Sequence, residues 1–507
     1  MNQRIRGSIL AAALGLGLGT GTMAASAAPA GTFRYAEEVK LVTLDPQQHS
    51  GGGISYLRPV YETLFTRSPN GSDAPLLATG YEIDGLSVKL TLRQGVKFSN
   101  GEPFDAAAVA ANINRGVKLG ILEGLKPVAE AVATGDHEVT IKLKRPDPSI
   151  IDDLTAESGM MIAPKAMQDP ALDRNPVGTG PYVYDREQSR EGEVRVYRPN
   201  PTYWDAKEQG LARVEIWELP DDTARLNALK TGQVDAGVWL SNPQAAIIDR
   251  TPGLKLVRNT GGYNYHLIIL DRQGTKVPAF ADQRVRQAMN YAIDRAAFSK
   301  AVQFGLSVPA YQPYAKGNWA YDPSLEGRYR YDPGKARELL KEAGYPNGFT
   351  FTMPSIPIFQ SRLEAVAGFL KDVGITMTIK PVEPGTLARR SRTTDFPATN
   401  LVWNTMDDPK FLIDRYVSPD GVYNPYKVPP GGDLMTLGEQ GLQSADPEKR
   451  APVYRKMAEE LDDQSFLIFI TSTPLLFGVT DQVADNPTVH FRPGEDTIFL
   501  RGLRMDR

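Results

Sequence analysis

Cysteine is absent from the 507-residue chain. A chain without Cys has no disulfide framework, no thiolate metal site and no cysteine nucleophile. It also has no sulfur on which a lipid could be attached at the N-terminus, so we expect no membrane anchor. Stability must therefore come from a large hydrophobic core, which a chain of this length is able to build.

Histidine is scarce: the chain contains four, His49, His137, His266 and His490. No two of them have the spacing that puts metal ligands on one helical turn, and there is no H-E-x-x-H motif. The sequence also lacks a G-x-S-x-G elbow, a G-x-x-x-x-G-K-[ST] loop and a calcium loop. We therefore expect no catalytic residue, no metal site and no cofactor.

Adjacent acidic residues occur, but their spacing does not favour catalysis. Neighbouring residues usually point in different directions, so such a pair fits a helix cap or a solvated turn better than the two carboxylates of a glycosidase. The pairs are Glu37-Glu38, Asp152-Asp153, Asp221-Asp222, Asp407-Asp408 and Asp462-Asp463.

Positive charge is not in excess, because 57 Lys and Arg stand against 60 Asp and Glu for a net charge of −3. This balance provides no basic field for nucleic acid.

Beyond the N-terminus no apolar run approaches the roughly 18 residues that span a bilayer. We expect a soluble monomer with neither nucleic acid nor membrane as a partner.

The N-terminus has the three parts of a secretory signal. Arg4 and Arg6 precede a short apolar stretch, Ser8 to Gly19, and Ala25-Ser26-Ala27 supplies small residues for cleavage. A buried apolar helix is the alternative, but the many glycines of this stretch make a poor helix interior. We expect residues 1–27 to be a signal peptide cleaved near Ala27, and the mature protein to be periplasmic.

Apolar periodicity further along the chain is typical of an α/β protein. Alternating residues around Asp84-Gly85 and around Gly135-Asp136 predict two hairpins. Two βαβ units are predicted, one from Val214 to Val238 with Asp222 as the helix cap, and one from Phe349 to Ile379. Two such units suggest two lobes, each with parallel strand pairing.

Three aspartates precede stretches with helical periodicity. Asp105, Asp282 and Asp332 are each followed by apolar residues on one helical face, and Pro333 occupies a first helical position. The segment Gly178-Thr179-Gly180-Pro181-Tyr182 reads differently, because two glycines and a proline predict a tight turn before a strand.

Nine segments, in order along the chain, carry a resemblance to a known family. They are Tyr61–Leu64, Leu92–Phe98, Asn100–Phe104, Gly178–Tyr182, Asn200–Trp204, Leu229–Asp235, Arg284–Ala288, Tyr291–Arg295 and Tyr331–Pro346. Together they resemble the extracellular solute-binding proteins of family 5, which serve ABC importers of peptides, opines and nickel. The resemblance spans nearly the whole mature chain.

This resemblance implies a periplasmic substrate-binding component of an ABC importer and not an enzyme. Such a protein captures a small polar solute, a peptide or peptide-like molecule, an opine or a related compound, by closure of two lobes. It then delivers the solute to the transmembrane subunits of the permease. Two alternatives stay open on the residues alone: an exported hydrolase of peptides or glycans, and a periplasmic chaperone or receptor on the same scaffold.

The same resemblance implies an α/β periplasmic binding protein-like fold of type II, cluster C, with a hinge and an inserted subdomain. Lobe I would comprise residues 28–50, 177–262 and 477–507, with residues 51–176 inserted as a subdomain. Lobe II would comprise residues 263–476. The apolar runs near residues 263–270 and 466–477 would be the crossover strands of the hinge.

In peptide-binding relatives a Trp-x-x-Asp segment places an aromatic ring and a carboxylate against the ligand. The matching stretch here begins at Trp403, and Met406 stands where the acid is expected. Either a shifted Asp407 takes over that role, or the ligand lacks the amine. Asp408 is a further candidate for ligand binding. Trp403 is also compatible with a place in the core.

Other candidates for ligand binding come from their positions in the predicted lobes. Arg362 would receive a ligand carboxylate through two hydrogen bonds, although a solvated helix face is the alternative. Glu37 and Glu38 follow the first strand, where an α/β lobe presents its loops to a ligand. The remaining candidates are Tyr263, Tyr265 and Trp239.

Overall fold

The computed structural model describes residues 5–6, 29–49, 53–68, 73–238, 240–383, 386–405, 408–444, 446–492, 495 and 497–505. Of the expected signal peptide only Ile5 and Arg6 fall in these ranges, as backbone, and the cleavage site near Ala27 lies outside them. Among the described residues no helix combines the length and the apolar character that crossing a bilayer requires.

The described residues form a mixed α/β structure. The strands are β1 Ile5–Arg6, β2 Thr32–Glu37, β3 Phe65–Arg67, β4 Asp73–Pro75, β5 Ala78–Asp84, β6 Ser87–Leu92, β7 Val128–Gly135, β8 Glu138–Leu143, β9 Tyr182–Tyr184, β10 Val194–Pro199, β11 Arg213–Glu218, β12 Ala236–Gly237, β13 Leu254–Ile269, β14 Val308–Pro309, β15 Thr350–Ser355, β16 Thr376–Pro381, β17 Ala398–Asn404 and β18 Leu467–Thr480.

The helices alternate with these strands through most of the chain. They are α1 Ala106–Leu119, α2 Ile150–Asp153, α3 Asp222–Lys230, α4 Asn242–Ile248, α5 Gln283–Ala292, α6 Arg295–Val302, α7 Pro333–Glu342, α8 Pro357–Lys371, α9 Leu387–Arg390, α10 Lys410–Leu412, α11 Leu434–Gly441, α12 Pro447–Gln464 and α13 Asp481–Ala484. A π-helical turn, Ile413–Val417, continues α10.

The chain divides into two compact units. Unit 1 comprises Met1–Val257 and Leu476–Arg507, and unit 2 comprises Arg258–Leu475. The chain leaves unit 1 within β13 and returns to it within β18. The finer division of lobe I into residues 28–50, 177–262 and 477–507, with residues 51–176 inserted as a subdomain, stays a prediction.

Among its described residues, unit 1 contains the two-stranded β3–β4 sheet and strands of two larger sheets. The first of the larger sheets has the order β1-β5-β6-β8-β7, and its β5–β6 and β7–β8 pairs are the two predicted hairpins. The second runs from the C-terminal part of β18 through β12, β2, β11 and β10 to β9. Both β11 and β12 pair with β2 in parallel, so the predicted βαβ unit is confirmed, with β2 between its two strands.

Local chemistry explains most of the helix starts, with one correction. The side chains of Asp105, Asp282 and Asp332 accept hydrogen bonds from backbone N–H groups in the first turns of α1, α5 and α7. Caps at Asp105 and Asp332 and a helix start near Asp282 are as predicted. The predicted cap of α3 is wrong by one residue. Asp221 caps that helix by accepting from the Ala224 N–H, and Asp222 instead forms an ion pair with Arg225.

The turn before β9 has a different physical reason from the one predicted. Neither Gly178 nor Gly180 adopts a positive φ. A Cβ atom at Gly178 would lie 2.2 Å from the Val60 carbonyl oxygen, and one at Gly180 would lie 2.5 Å from it. The Gly180 N–H donates to that same oxygen at 2.8 Å. The glycines therefore allow close backbone approach and do not provide unusual dihedral angles.

Unit 2 is built around a large apolar core and a parallel strand pair. The strands β15 and β16 pair in parallel over the whole length Thr350–Ser355, and α8 connects them, which confirms the second predicted βαβ unit. Next to them β13 and β17 pair antiparallel, with Tyr263 opposite Asn404 and Ile269 opposite Ala398. The core of this unit contains both Tyr265 and Trp403.

Candidate functional site

Arg362 lies on α8 with its guanidinium group against aromatic rings. Its central carbon is 5.3 Å from the centre of the Tyr265 ring and 5.6 Å from that of Phe359. In the part of the chain that the structure describes, no carboxylate forms an ion pair with it. Burial lowers the pKa of Arg362, an effect that the nearby Tyr265 opposes. A partly desolvated cation without an acidic neighbour is suited to receive an anion.

The ring of Tyr265 packs against the Arg362 guanidinium group. It extends from β13 and is 1% exposed, with its ring stacked on Phe298 at 5.9 Å and 10°. Its hydroxyl group is buried and has no hydrogen-bond partner among the described residues. Burial raises the pKa of Tyr265 well above its ordinary value, so the hydroxyl stays protonated and available as a donor.

Trp403 lies on β17 but on the other face of the sheet. It stands opposite Asn264, whereas Tyr265 stands opposite Val402. Because successive side chains of a strand point to opposite faces, Trp403 and Tyr265 point away from each other. Trp403 is 1% exposed, and its indole N–H has no hydrogen-bond partner within the described ranges.

An arginine that the sequence analysis did not single out accompanies Trp403. The Arg415 guanidinium is 5.3 Å from the Trp403 ring and 5.1 Å from the Phe411 ring. The Tyr416 ring packs edge-on against Trp403 at 5.8 Å. No local sequence pattern predicts this cluster, because the π-helical turn that carries Arg415 and Tyr416 contacts β17 only through tertiary packing.

Asp408 is committed to a buried ion pair. Its two carboxylate oxygens each accept a hydrogen bond from Arg450 at 2.8 Å, and one of them also accepts from the Lys410 backbone N–H. The side chains of Asp408 and Arg450 are 7% and 4% exposed. Asp407, Met406 and Trp239 lie outside the described residues.

Glu37 and Glu38 belong to unit 1 and have contacts within it. Glu37 is buried at the end of β2, where it accepts a short hydrogen bond from the Ser55 hydroxyl group and another from the Glu38 N–H. Glu38 lies 3.6 Å from the buried Arg225 guanidinium. Tyr263, in unit 2, is half-buried on β13.

Comparison with known proteins decides the family. The sequence model for bacterial extracellular solute-binding proteins, family 5, matches residues 74–424. The glutathione-binding protein GsiB of Salmonella paratyphi A is 32% identical over 371 residues, which is 68% of each chain. GsiB of Escherichia coli O1:K1 is 30% identical over 372 residues, with the same coverage. The chain belongs to family 5.

Solved structures agree on the fold of this family 5 protein. HbpA2 from Haemophilus parasuis superposes with a TM-score of 0.80 at 22% identity, covering 94% of this chain and all of the other. A dipeptide-binding protein from Pseudoalteromonas sp. SM9913, in complex with Met-Leu, gives 0.77 at 23% identity over 94% of this chain and all of the other. The fold is that of the two-lobed periplasmic binding proteins.

Family membership establishes the general function that the motifs predicted. The chain is the solute-binding component of an ABC importer, and family members bind small solutes and deliver them to the permease. The curated relatives are binding proteins and not enzymes, and nothing in the comparisons supports a hydrolase or a chaperone. Within the described residues no three His, Asp or Glu side chains gather as a metal site.

Proposed function

We propose that this family 5 protein binds a short peptide through a free carboxylate and that Arg362 receives this carboxylate. The observation that supports the proposal is the Arg362 guanidinium, which rests on Tyr265 and has no acidic partner among the described residues. Glutathione is the first candidate, because the curated relatives at 30–32% identity are glutathione-binding proteins.

The chemistry of the proposed contact follows from the arginine side chain. A guanidinium presents two parallel N–H donors that match the two oxygens of a carboxylate. Because Arg362 is partly desolvated, its attraction for an anion is screened less than at the surface. The buried Tyr265 hydroxyl group is available to donate a further hydrogen bond to the same solute.

The other predicted site residues remain candidates in this proposal. Tyr263 and Trp403 lie on the neighbouring strands β13 and β17, and Asp407 and Trp239 stay candidates from the sequence. Glu37 and Glu38, in unit 1, also stay candidates from the sequence. Asp408 is the weakest of the set, since Arg450 occupies both of its oxygens.

Capture would proceed by closure of the two lobes on the solute, which shifts the population toward the closed form. A micromolar dissociation constant requires a net binding free energy of about 8 kcal/mol. A bidentate carboxylate contact, a few further hydrogen bonds and one aromatic contact are sufficient for this. The closed form would then dock on the permease and release the solute unchanged, without catalysis.

The mature protein would be periplasmic. In this proposal residues 1–27 are removed near Ala27 and no lipid anchor is added, since the chain has no Cys. The product would be a monomer that binds no nucleic acid. Lobe I would comprise residues 28–50, 177–262 and 477–507 with residues 51–176 inserted, and lobe II residues 263–476.

Calorimetric titration with reduced glutathione tests the proposed contact. We expect the wild-type protein to bind glutathione and Arg362→Gln to bind it at least tenfold more weakly, since one bidentate charged contact is lost. Arg362→Lys keeps the positive charge but lacks the two parallel N–H donors of the guanidinium group. Its affinity for glutathione should lie between those of the wild type and Arg362→Gln.

The matched control is Arg389→Gln, an exposed arginine of unit 2 with no described side-chain contact. It should leave the affinity unchanged. Equal affinities of Arg362→Gln and Arg389→Gln for glutathione would contradict the assignment of Arg362. If peptide amides, which lack the free carboxylate, bind with the same affinity as free peptides, the proposed carboxylate contact is contradicted.

A further inference from the structure

Unit 2 contains a cavity of about 570 Å³ that is separate from the contacts of Arg362. Its lining includes Asn264 from β13, Tyr311 and Lys316 from the segment after β14, and Tyr321 with Arg330 further along. Every lining residue belongs to unit 2. The volume falls in the range of about 300–1,000 Å³ that small-molecule sites occupy.

Asn264 lines this cavity and carries an unmatched acceptor. Its Nδ2 donates to the carbonyl oxygens of Gln312 and Pro313 at 2.8 and 2.9 Å, which fixes the orientation of the amide. The Oδ1 atom is therefore the acceptor of this amide, and it is buried with no hydrogen-bond partner among the described residues. The side chain as a whole is 1% exposed. A buried carbonyl oxygen of this kind calls for an N–H or O–H donor.

The charged side chains of the lining have both signs. Lys316 and Arg330 are exposed, and neither has an ion pair or a side-chain hydrogen bond within the described ranges. Glu326 accepts a short hydrogen bond from the Tyr321 hydroxyl group through one oxygen, which leaves the other available. Two cations and one carboxylate therefore border the same cavity.

Two tyrosine rings add a flat, partly apolar wall. Tyr311 is half-buried and rests against the buried Arg295 guanidinium at 4.9 Å, and the Tyr321 ring is held through its hydroxyl group, which donates to Glu326. Their positions are set by these contacts before any ligand enters. A preformed wall of this kind lowers the entropy cost of binding.

We propose that this cavity is a second small-molecule site and that it takes an amino-acid-like ligand. The ligand carboxylates pair with Lys316 and Arg330, and its ammonium group donates to Asn264 Oδ1 and to Glu326. The aliphatic body of the ligand lies against Tyr311 and Tyr321. Because neither Arg362 nor its ring partners Tyr265 and Phe359 line this cavity, the site is occupied independently of the contact made by Arg362.

Calorimetry with L-glutamate as the probe tests the proposal in the Arg362→Gln background, in which the proposed peptide contact is absent. We expect L-glutamate to bind this variant, and glutarate, which lacks the amino group, to bind at least fivefold more weakly. Adding Lys316→Gln and Arg330→Gln should weaken L-glutamate binding at least tenfold. Lys371→Gln, at an exposed lysine on α8 with no described side-chain contact, is the matched control and should have no effect.

Three results would overturn this second site. The first is no L-glutamate binding at millimolar concentration, with Asn264 Oδ1 contacted only by an ordered water molecule in a crystal structure. The second is equal affinity of the Lys316→Gln/Arg330→Gln and Lys371→Gln variants. The third is a crystal structure of the L-glutamate complex in which the ligand lies against Arg362 and not against Lys316 and Arg330. Loss of glutathione binding alone concerns the proposed function and leaves this site intact.

Discussion

Glu62 is a carboxylate buried in unit 1 whose charge is only partly compensated. It accepts hydrogen bonds from the Tyr203 hydroxyl group at 2.7 Å and from the Trp204 indole N–H at 2.8 Å. Burial nevertheless raises the pKa of Glu62 to about 6, against the opposing effects of these donors and of Arg501. Its ionisation therefore costs more in the folded chain than in the unfolded chain.

The sign of the resulting pH dependence is fixed by this raised pKa. Between the ordinary carboxyl value of 4.5 and about 6, the folded state holds a proton that the unfolded state has lost. We expect the free energy of unfolding of the wild type, relative to Glu62→Gln, to fall by about 2 kcal/mol as the pH rises through this window. Urea unfolding of both proteins from pH 4.5 to 7.5 measures it, and other buried acids such as Asp462 cancel in the difference. A pH-independent difference would contradict the assignment.

Asp408 shows why a residue type and its position do not fix a role. The sequence makes it a candidate for ligand binding, whereas its two oxygens accept hydrogen bonds from Arg450. Removing one partner of a buried ion pair leaves a charge without compensation, which costs about 3–5 kcal/mol. We expect Asp408→Asn to lower the unfolding temperature strongly.

A double variant separates the structural role of Asp408 from a ligand contact. Asp408→Leu combined with Arg450→Met removes both charges and should recover much of the lost stability. Thermal unfolding is the measurement. Unchanged stability of Asp408→Asn together with weakened glutathione binding would show that Asp408 contacts the solute.

At the scale of elements, the glycines before β9 hold two backbone segments together. The Gly180 N–H donates to the Val60 carbonyl oxygen, and the Tyr182 N–H donates to that of Pro59. A Cβ atom at Gly180 would lie 2.5 and 2.6 Å from these two oxygens, neither of which is able to move without breaking a hydrogen bond. The contact is therefore specific to glycine.

We expect Gly180→Ala to destabilise the protein by about 1–3 kcal/mol, as overpacking at a rigid site does. Gly80→Ala is the matched control, because a Cβ atom at Gly80 would meet nothing within 4 Å. Its effect should stay within about 0.5 kcal/mol. Denaturant unfolding compares the two, and equal effects would mean that the segment relaxes freely.

Local elements are the part of the fold that the sequence predicts well. Asp105 and Asp332 cap their helices as expected, and α5 begins next to Asp282 as expected, since a cap depends on residues within one turn. The cap of α3 shows the limit, because adjacent aspartates offer two equivalent solutions and only Arg225 distinguishes them.

The candidate site is less predictable because it depends on strand register and on distant packing. The sequence does not show that Tyr265 and Trp403 occupy opposite faces, which follows from the pairing of β13 with β17. Nor does it show that Arg362 contacts Tyr265, which lies 97 positions away along the chain. The same holds for Arg415 and Trp403, which are 12 positions apart. Such contacts are created by tertiary structure.

At the scale of the whole molecule, ordered motifs predict more than any single residue. Each of the nine segments is compatible with many folds, but their order along the chain identifies the family that the comparison of sequences then shows. Fold and general function follow from that order. The solute does not, because relatives of one fold differ in the side chains that contact it.

Native mass spectrometry of the mature protein with a mixture of reduced glutathione and short peptides tests the central claim most directly. The account predicts a monomer that carries one or more non-covalent adducts, a peptide that is released with its mass unchanged, and loss of the peptide adduct in Arg362→Gln but not in Arg389→Gln. Cleaved peptide products, or a protein that stays free of solute in the mixture, would contradict it.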